Sequence, residues 1–290
     1  MPRPSFAMKA LRGLTFALAI AVPLAFHPFE AQAQKPAQSR LSAKDARKAA
    51  EIAAKLQSTS TADLLSGLDD ARHFPQGAAT FVPLITELLR KGSSPEVTVA
   101  AIHALGALGD RSTSSVLLPY TRHRWPELRV AALEALAQTG GLEAVFTLRK
   151  ALGDVNPKVR KAAALGLGKL GAKEAIDELM TALQRGVGEA APAIARIGNA
   201  AQIEVLLAKL PALSVPLAVD GSEFVLHRED LSDELKIAWV RRLAERDSDE
   251  VRAHLAAFRK RDLSPELAHA IDEALHAEGP RVDEDEEEEP

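Results

Sequence analysis

Pro95, Pro126 and Pro157 stand 31 residues apart, and so do Gly109, Gly140 and Gly171. The columns between them agree: Val97/Leu128/Val159, Ala100/Ala131/Ala162, Ala101/Ala132/Ala163 and Leu105/Leu136/Leu167. A fixed period constrains the fold strongly, because every unit must bury the same face against its neighbours. In the cleanest copy, 156–171, the apolar positions Val159, Ala162, Ala163, Gly166, Leu167 and Leu170 follow helical spacing, not alternation. Asn156 or Ser94 can cap this helix, and the proline falls in the first turn, where a missing N–H costs nothing. The closing glycine suits a left-handed helix end. A second helix follows at 174–183, matched at 143–152 and more loosely at 113–121.

Two short helices per 31 residues cannot bury an apolar stripe alone; stacked on identical neighbours they can. The chain holds 53 alanines against 12 aromatics, which favours close helix packing and disfavours sheet. The expected fold class is therefore all-α, an α-solenoid of antiparallel helix pairs. The array is expected over 43–210, with its best copies at 95–187. The segments 43–57, 61–72 and 79–91 read as helices out of phase with the repeat, as a capping end would be. A fourth copy, 187–198 with 203–210, is short and carries Pro192 inside its first helix. Beyond Leu210 the period breaks. An Asp220-Gly221 turn between partly alternating apolar residues predicts a β-hairpin or ordered loop at 214–227, inserted over 211–230. Helices at 231–245, 248–260 and 264–277 then complete a C-terminal end spanning 231–278.

The pattern Pro-x-Val-Arg-x-x-Ala-Ala-x-x-Leu-Gly-x-Leu-Gly, as it stands at 157–171, resembles the bacterial HEAT-like repeats of the subtype named for phycobilisome lyases. The resemblance is strong over 95–187 and weaker outside. It implies a binding or scaffold module. A lyase-like or other enzymatic role is the alternative that the family carries, and related helical-repeat proteins include DNA alkyl-base glycosylases. No residue set here can be matched to either activity. The resemblance also implies that the second helices of successive repeats line one surface, shared by Tyr120, Arg149 and Lys150.

Residues 1–33 read as a secretory signal: Arg3, Lys9 and Arg12 precede an uncharged apolar stretch, 14–26, and Ala31-Gln32-Ala33 supplies small residues for cleavage. The apolar stretch is short for a membrane span and contains Pro23. Cleavage after Ala33 implies a periplasmic or secreted protein with no membrane span, opening on a flexible lead, 34–42. The whole chain carries −4; without 1–33 it carries −6, and the run 283–289 alone holds seven negative charges. The remaining body is nearly neutral, which argues against a nucleic-acid partner. The tail 279–290 is expected to be disordered, with weak calcium binding or the holding of a basic partner as the less common alternative. Envelope ligand or ion binding through 214–227 or this tail is a third functional reading.

Cysteine is absent, which excludes disulfides, thiol nucleophiles and cysteine-bearing metal sites. The string 166–171 matches Gly-x-Gly-x-x-Gly, but it closes a helix instead of opening one, so it reads as part of the repeat and not as a nucleotide cradle. The histidines make no His-Glu-x-x-His, and no Gly-x-Ser-x-Gly or P-loop is present. No catalytic residue, cofactor or metal is expected. Arg129 and Arg160 recur just after a helix start and read as ties to the preceding turn. One cluster stands apart: Tyr120, Arg122, Arg124 and Trp125 fall within six residues, with Arg149 and Lys150 one repeat on. Tyr, Trp and Arg are the residue types that anchor interfaces, so these six form the candidate partner-binding set, the partner being another envelope protein. The alternative is that Trp125 packs between repeats while the arginines are solvated.

Overall fold

The computed structural model describes residues 41–276, in which fifteen α-helices and no strand occur. The expected signal segment, most of the expected lead and the acidic run 283–289 lie outside these residues. Helices α1 (Ala43–Leu56), α2 (Thr61–Arg72) and α3 (Ala78–Lys91) open the array. The repeats follow as pairs: α4 (Pro95–Leu108) with α5 (Ser114–Leu117), α6 (Pro126–Thr139) with α7 (Leu142–Ala151), α8 (Pro157–Leu170) with α9 (Ile176–Gln184), and α10 (Ala190–Ile197) with α11 (Ala200–Lys209). The array closes with α12 (Val215–His227), α13 (Asp233–Ala244), α14 (Asp249–Phe258) and α15 (Pro265–His276). Among the described residues no helix is long and apolar enough to cross a membrane.

The repeat grammar acts at the helix ends as its residues dictate. Ser94 accepts a hydrogen bond from the Val97 N–H at 3.4 Å and Asn156 accepts one from the Lys158 N–H at 2.9 Å. Pro95 and Pro157 fill the first helical turn. Gly109 (φ 67°) and Gly171 (φ 65°) end α4 and α8 in the left-handed conformation that a side chain resists. Pro192 sits in the first turn of α10, where it displaces no intrahelical hydrogen bond, so this copy keeps its helix.

The helices form two layers. The even-numbered ones, α2 to α12, pack closely on one another in sequence order, whereas successive odd helices from α5 to α11 barely touch. Small residues make the difference. A Cβ placed on Gly106 of α4 would lie 2.7 Å from the Cα of Ala135 in α6, and one on Gly168 of α8 would lie 2.9 Å from the Cα of Ala193 in α10. Around these approaches Ile102, Leu105, Leu133, Leu136 and Leu167 are wholly buried, and α6 contributes side chains to the core on both of its sides.

Residues 214–227 correct the sequence expectation: they form α12, a full member of the even layer packed on α10, and not a hairpin or loop insertion. The buried positions are Ala218, Gly221, Ser222, Val225 and Leu226, a helical stripe in which glycine and serine stand where apolar residues are sought. Gly221 faces the Trp239 ring, which a Cβ there would meet at an ordinary 3.6 Å, and Ser222 Oγ donates to the Ala218 carbonyl while accepting from Trp239 Nε1 at 2.6 Å. With that stripe disguised, the apparent alternation and the Asp-Gly pair resembled turn chemistry.

The contact of α12 with α14 is the loosest in the even layer and holds a histidine. The His254 Nε2 atom is buried without a hydrogen-bond partner, and its Nδ1 lies 3.9 Å from Glu223. Burial pushes its pKa below the ordinary 6.5; Glu223 and Asp220 oppose this, and His227 reinforces it. The unfolded chain therefore takes up a proton that the folded one resists. Stability from this site is complete above about pH 6.5 and declines as pH falls below it. His103, whose pKa burial also lowers, adds to the same slope.

Two outcomes follow from this packing. Gly106→Ala improves helix propensity by about 1 kcal/mol yet is expected to destabilise the fold by about 1–3 kcal/mol, since backbone opposes the new methyl; urea titration of the variant checks the sign. Thermal melts between about pH 7.5 and 5.5 should show a falling midpoint that is shallower in His254→Gln. An unchanged slope in that variant assigns the effect elsewhere.

Candidate functional site

The loose odd layer leaves grooves where the even layer leaves almost none. Three lie along it, of about 530, 580 and 460 Å³, whereas the gap between α6 and α8 is about 170 Å³. The first two grooves meet at the end of α7 and share Lys150, Gly153 and Asp154.

The connectors before α6 and α8 are each held by an arginine at the fourth position of that helix. Arg129 Nη1 donates to the carbonyls of His123 (2.9 Å) and Arg124 (3.4 Å), and Arg160 Nη1 donates to those of Asp154 (2.9 Å) and Val155 (3.1 Å). The recurring arginine column thus ties down the preceding turn. Arg129 does more: its Nε and Nη2 grip both oxygens of Asp154 at 2.9 and 2.8 Å, joining two successive connectors. Burial pushes the Asp154 carboxyl up, but the Arg129 hydrogen bonds, the Asn156 N–H and the charges of Arg129 and Arg160 outweigh it and hold it below the usual carboxylate range. This paired floor carries no net charge.

The six residues singled out by sequence separate on this frame. Arg122, Arg124 and Lys150 line the first groove together. Arg149 turns to the second, where its guanidinium bonds Glu178 of α9 (Nε to Oε1, 2.9 Å) and holds that carboxyl below its ordinary range. Tyr120 is not part of the first groove's lining: half-buried, its hydroxyl donates to the Leu89 carbonyl of α3 at 3.3 Å. Trp125 stands beside the groove at the start of α6, 38% exposed, with the Arg124 guanidinium 5.0 Å from its ring and His123 edge-on at 5.2 Å. It is therefore not a fully buried inter-repeat plug.

Two lining residues escaped the sequence reading. Phe146 and Val155 are 67% and 92% exposed at the first groove. Phe146 was findable, since Ala144 and Leu148 mark the buried stripe of α7 and an aromatic two residues off it faces outward. The second groove balances Arg149, Lys150, Arg160 and Arg185 against Asp154, Asp177 and Glu178. The first sets Arg122, Arg124, Arg129 and Lys150 against Asp154 alone, so it is distinctly basic with an apolar lip. The Gly-x-Gly-x-x-Gly string contributes no site: Gly166 lies under Leu148, and Gly168 against Ala193.

Partial exposure sets the expected cost of losing the Trp125 ring. Trp125→Ala should lower stability by about 1–2 kcal/mol, short of the ~3–5 kcal/mol typical of a buried aromatic. Denaturant titration reads it directly.

Residues 82–152 and 114–189 match the family model for HEAT repeats. No curated protein matches the sequence significantly. Among solved structures, the complex of CpcE and CpcF of phycocyanin lyase from Nostoc sp. PCC7120 aligns at 18% identity and TM-score 0.45, covering 77% of this chain and 96% of that one. A designed armadillo repeat protein aligns at 16% identity and TM-score 0.37, covering 77% and 97%. Over residues 82–189 the chain is thus similar to HEAT repeats, and the helices on either side extend that stretch into one all-helical solenoid.

Proposed function

We propose that this chain is an exported, non-catalytic scaffold that holds another envelope protein on its odd-helix layer, at the surface centred on Arg122, Arg124, Trp125 and Lys150. The observation that carries the reading is the first groove, where three cations and two exposed apolar side chains converge on a floor fixed by the Arg129–Asp154 pair. Such a surface supplies the ingredients of protein recognition, a desolvatable apolar patch ringed by orienting charges. Tyr120 and Arg149 support it from behind and from the neighbouring groove. The export reading rests on the sequence of residues 1–33, with Gln34 as the first residue of the mature chain.

A photo-crosslinking side chain placed at position 146, compared with one at the exposed Leu165 of the even layer, tests the surface in envelope extracts. A single stoichiometric protein captured from 146 and not from 165 is expected. Equal labelling from both, or a bound small molecule in place of a protein, would count against the scaffold reading. Amino-terminal sequencing of the envelope form should begin at Gln34; an intact Met1 there would mean a retained leader.

A further inference from the structure

Three side chains of the first groove carry charge that no carboxylate among the described residues pairs, although Arg124 also lies over the Trp125 ring. Asp154 is the one carboxylate among the lining residues, and Arg129 already holds both of its oxygens. Arg122 and Arg124 on one wall and Lys150 on the other therefore face the groove without a counter-charge, beside the exposed Phe146 and Val155. Burying such a face requires a ligand that brings several carboxylates in sequence and at least one apolar side chain.

The chain itself contains a segment of that chemistry. Val282 leads into seven consecutive acidic residues, 283–289. We infer that this segment of one copy docks in the first groove of a second copy, its carboxylates on Arg122, Arg124 and Lys150 and Val282 at the Phe146–Val155 lip. The inference does not depend on the scaffold reading. The segment takes the groove assigned there to another protein, so the two occupants compete, and a position-146 crosslink to a second copy reports this dimer and not that partner.

Reach selects a second copy over the same molecule. In the odd layer α7 and α15 stand four steps apart, about 32–40 Å at the usual spacing of packed helices. The six residues between His276 and Asp283 cover about 20–25 Å when fully extended. Val282, six residues past His276, therefore falls short of the Phe146–Val155 lip of its own groove, although the far end of the acidic run alone could reach. The docking that seats Val282 there needs a second copy. Reciprocal exchange of the two segments satisfies both grooves at once and closes the assembly as a two-fold dimer. Contacts made by exposed charges weaken as salt rises, so the dimer is salt-sensitive.

Sedimentation of the full chain at about 0.01 M and about 0.5 M salt tests this. A dimer is expected at low salt that dissociates at high salt. Arg122→Glu with Lys150→Glu, and separately the removal of residues 279–290, should each raise the dissociation constant about tenfold or more without moving the melting temperature appreciably. Adding Glu286→Lys, Glu287→Lys and Glu288→Lys to the groove double variant should restore the dimer, an effect that general charge repulsion does not produce. A chain that is monomeric at low salt, or a dimer indifferent to both the groove changes and the removal of 279–290, overturns the proposal.

Discussion

Backbone-to-backbone contact between the even helices governs the rest of the architecture. At Gly106 against Ala135 and at Gly168 against Ala193 there is no space for one more carbon, so the helices sit as close as their main chains permit. Alanine and glycine bury little area each, but they allow long rows of leucine and isoleucine on the adjacent faces to interlock with few voids. Cores of this kind rest on geometric fit more than on side-chain bulk, which is how 12 aromatic residues suffice for a chain of 290. The odd helices inherit the pitch set by the even row, and because their own side chains do not close the spacing, grooves remain between them.

Electrostatics divides the labour within that frame. The arginine after the opening prolines of α6 and α8 spends donors on carbonyls of the preceding turn, and in α6 the same guanidinium also neutralises Asp154. A charge-paired floor is rigid and offers nothing to a ligand. The neighbouring Arg122, Arg124 and Lys150 are the reverse: among the described residues no carboxylate pairs with them, and Arg124 rests on the Trp125 ring. One turn of chain thus separates cations that shape the surface from those that present it.

Much of this was legible in the sequence because prolines, glycines and cap residues act locally. Pro95, Pro126 and Pro157 announce helix starts whatever lies around them, and Gly109 and Gly171 announce ends. What escaped depended on distant partners. The buried Ser222 is intelligible only once Trp239, seventeen residues on, is seen to donate to it, and without that bond its helix looked like a turn. Tyr120 looked like an interface anchor until its hydroxyl was found on a carbonyl of α3. The basic residues clustered in sequence did meet in space, but Arg149 and Lys150, adjacent in the chain, serve different neighbours, since consecutive helical residues diverge by about 100°.

A stack fastened along one row and open along the other behaves mechanically like a bound book. From α2 to α12 the even row is the packed spine, and across the odd row α7 and α9 are joined by the Arg149–Glu178 pair. Because the first two grooves share Lys150, Gly153 and Asp154, their widths are tied: wedging one open shifts a wall of the other.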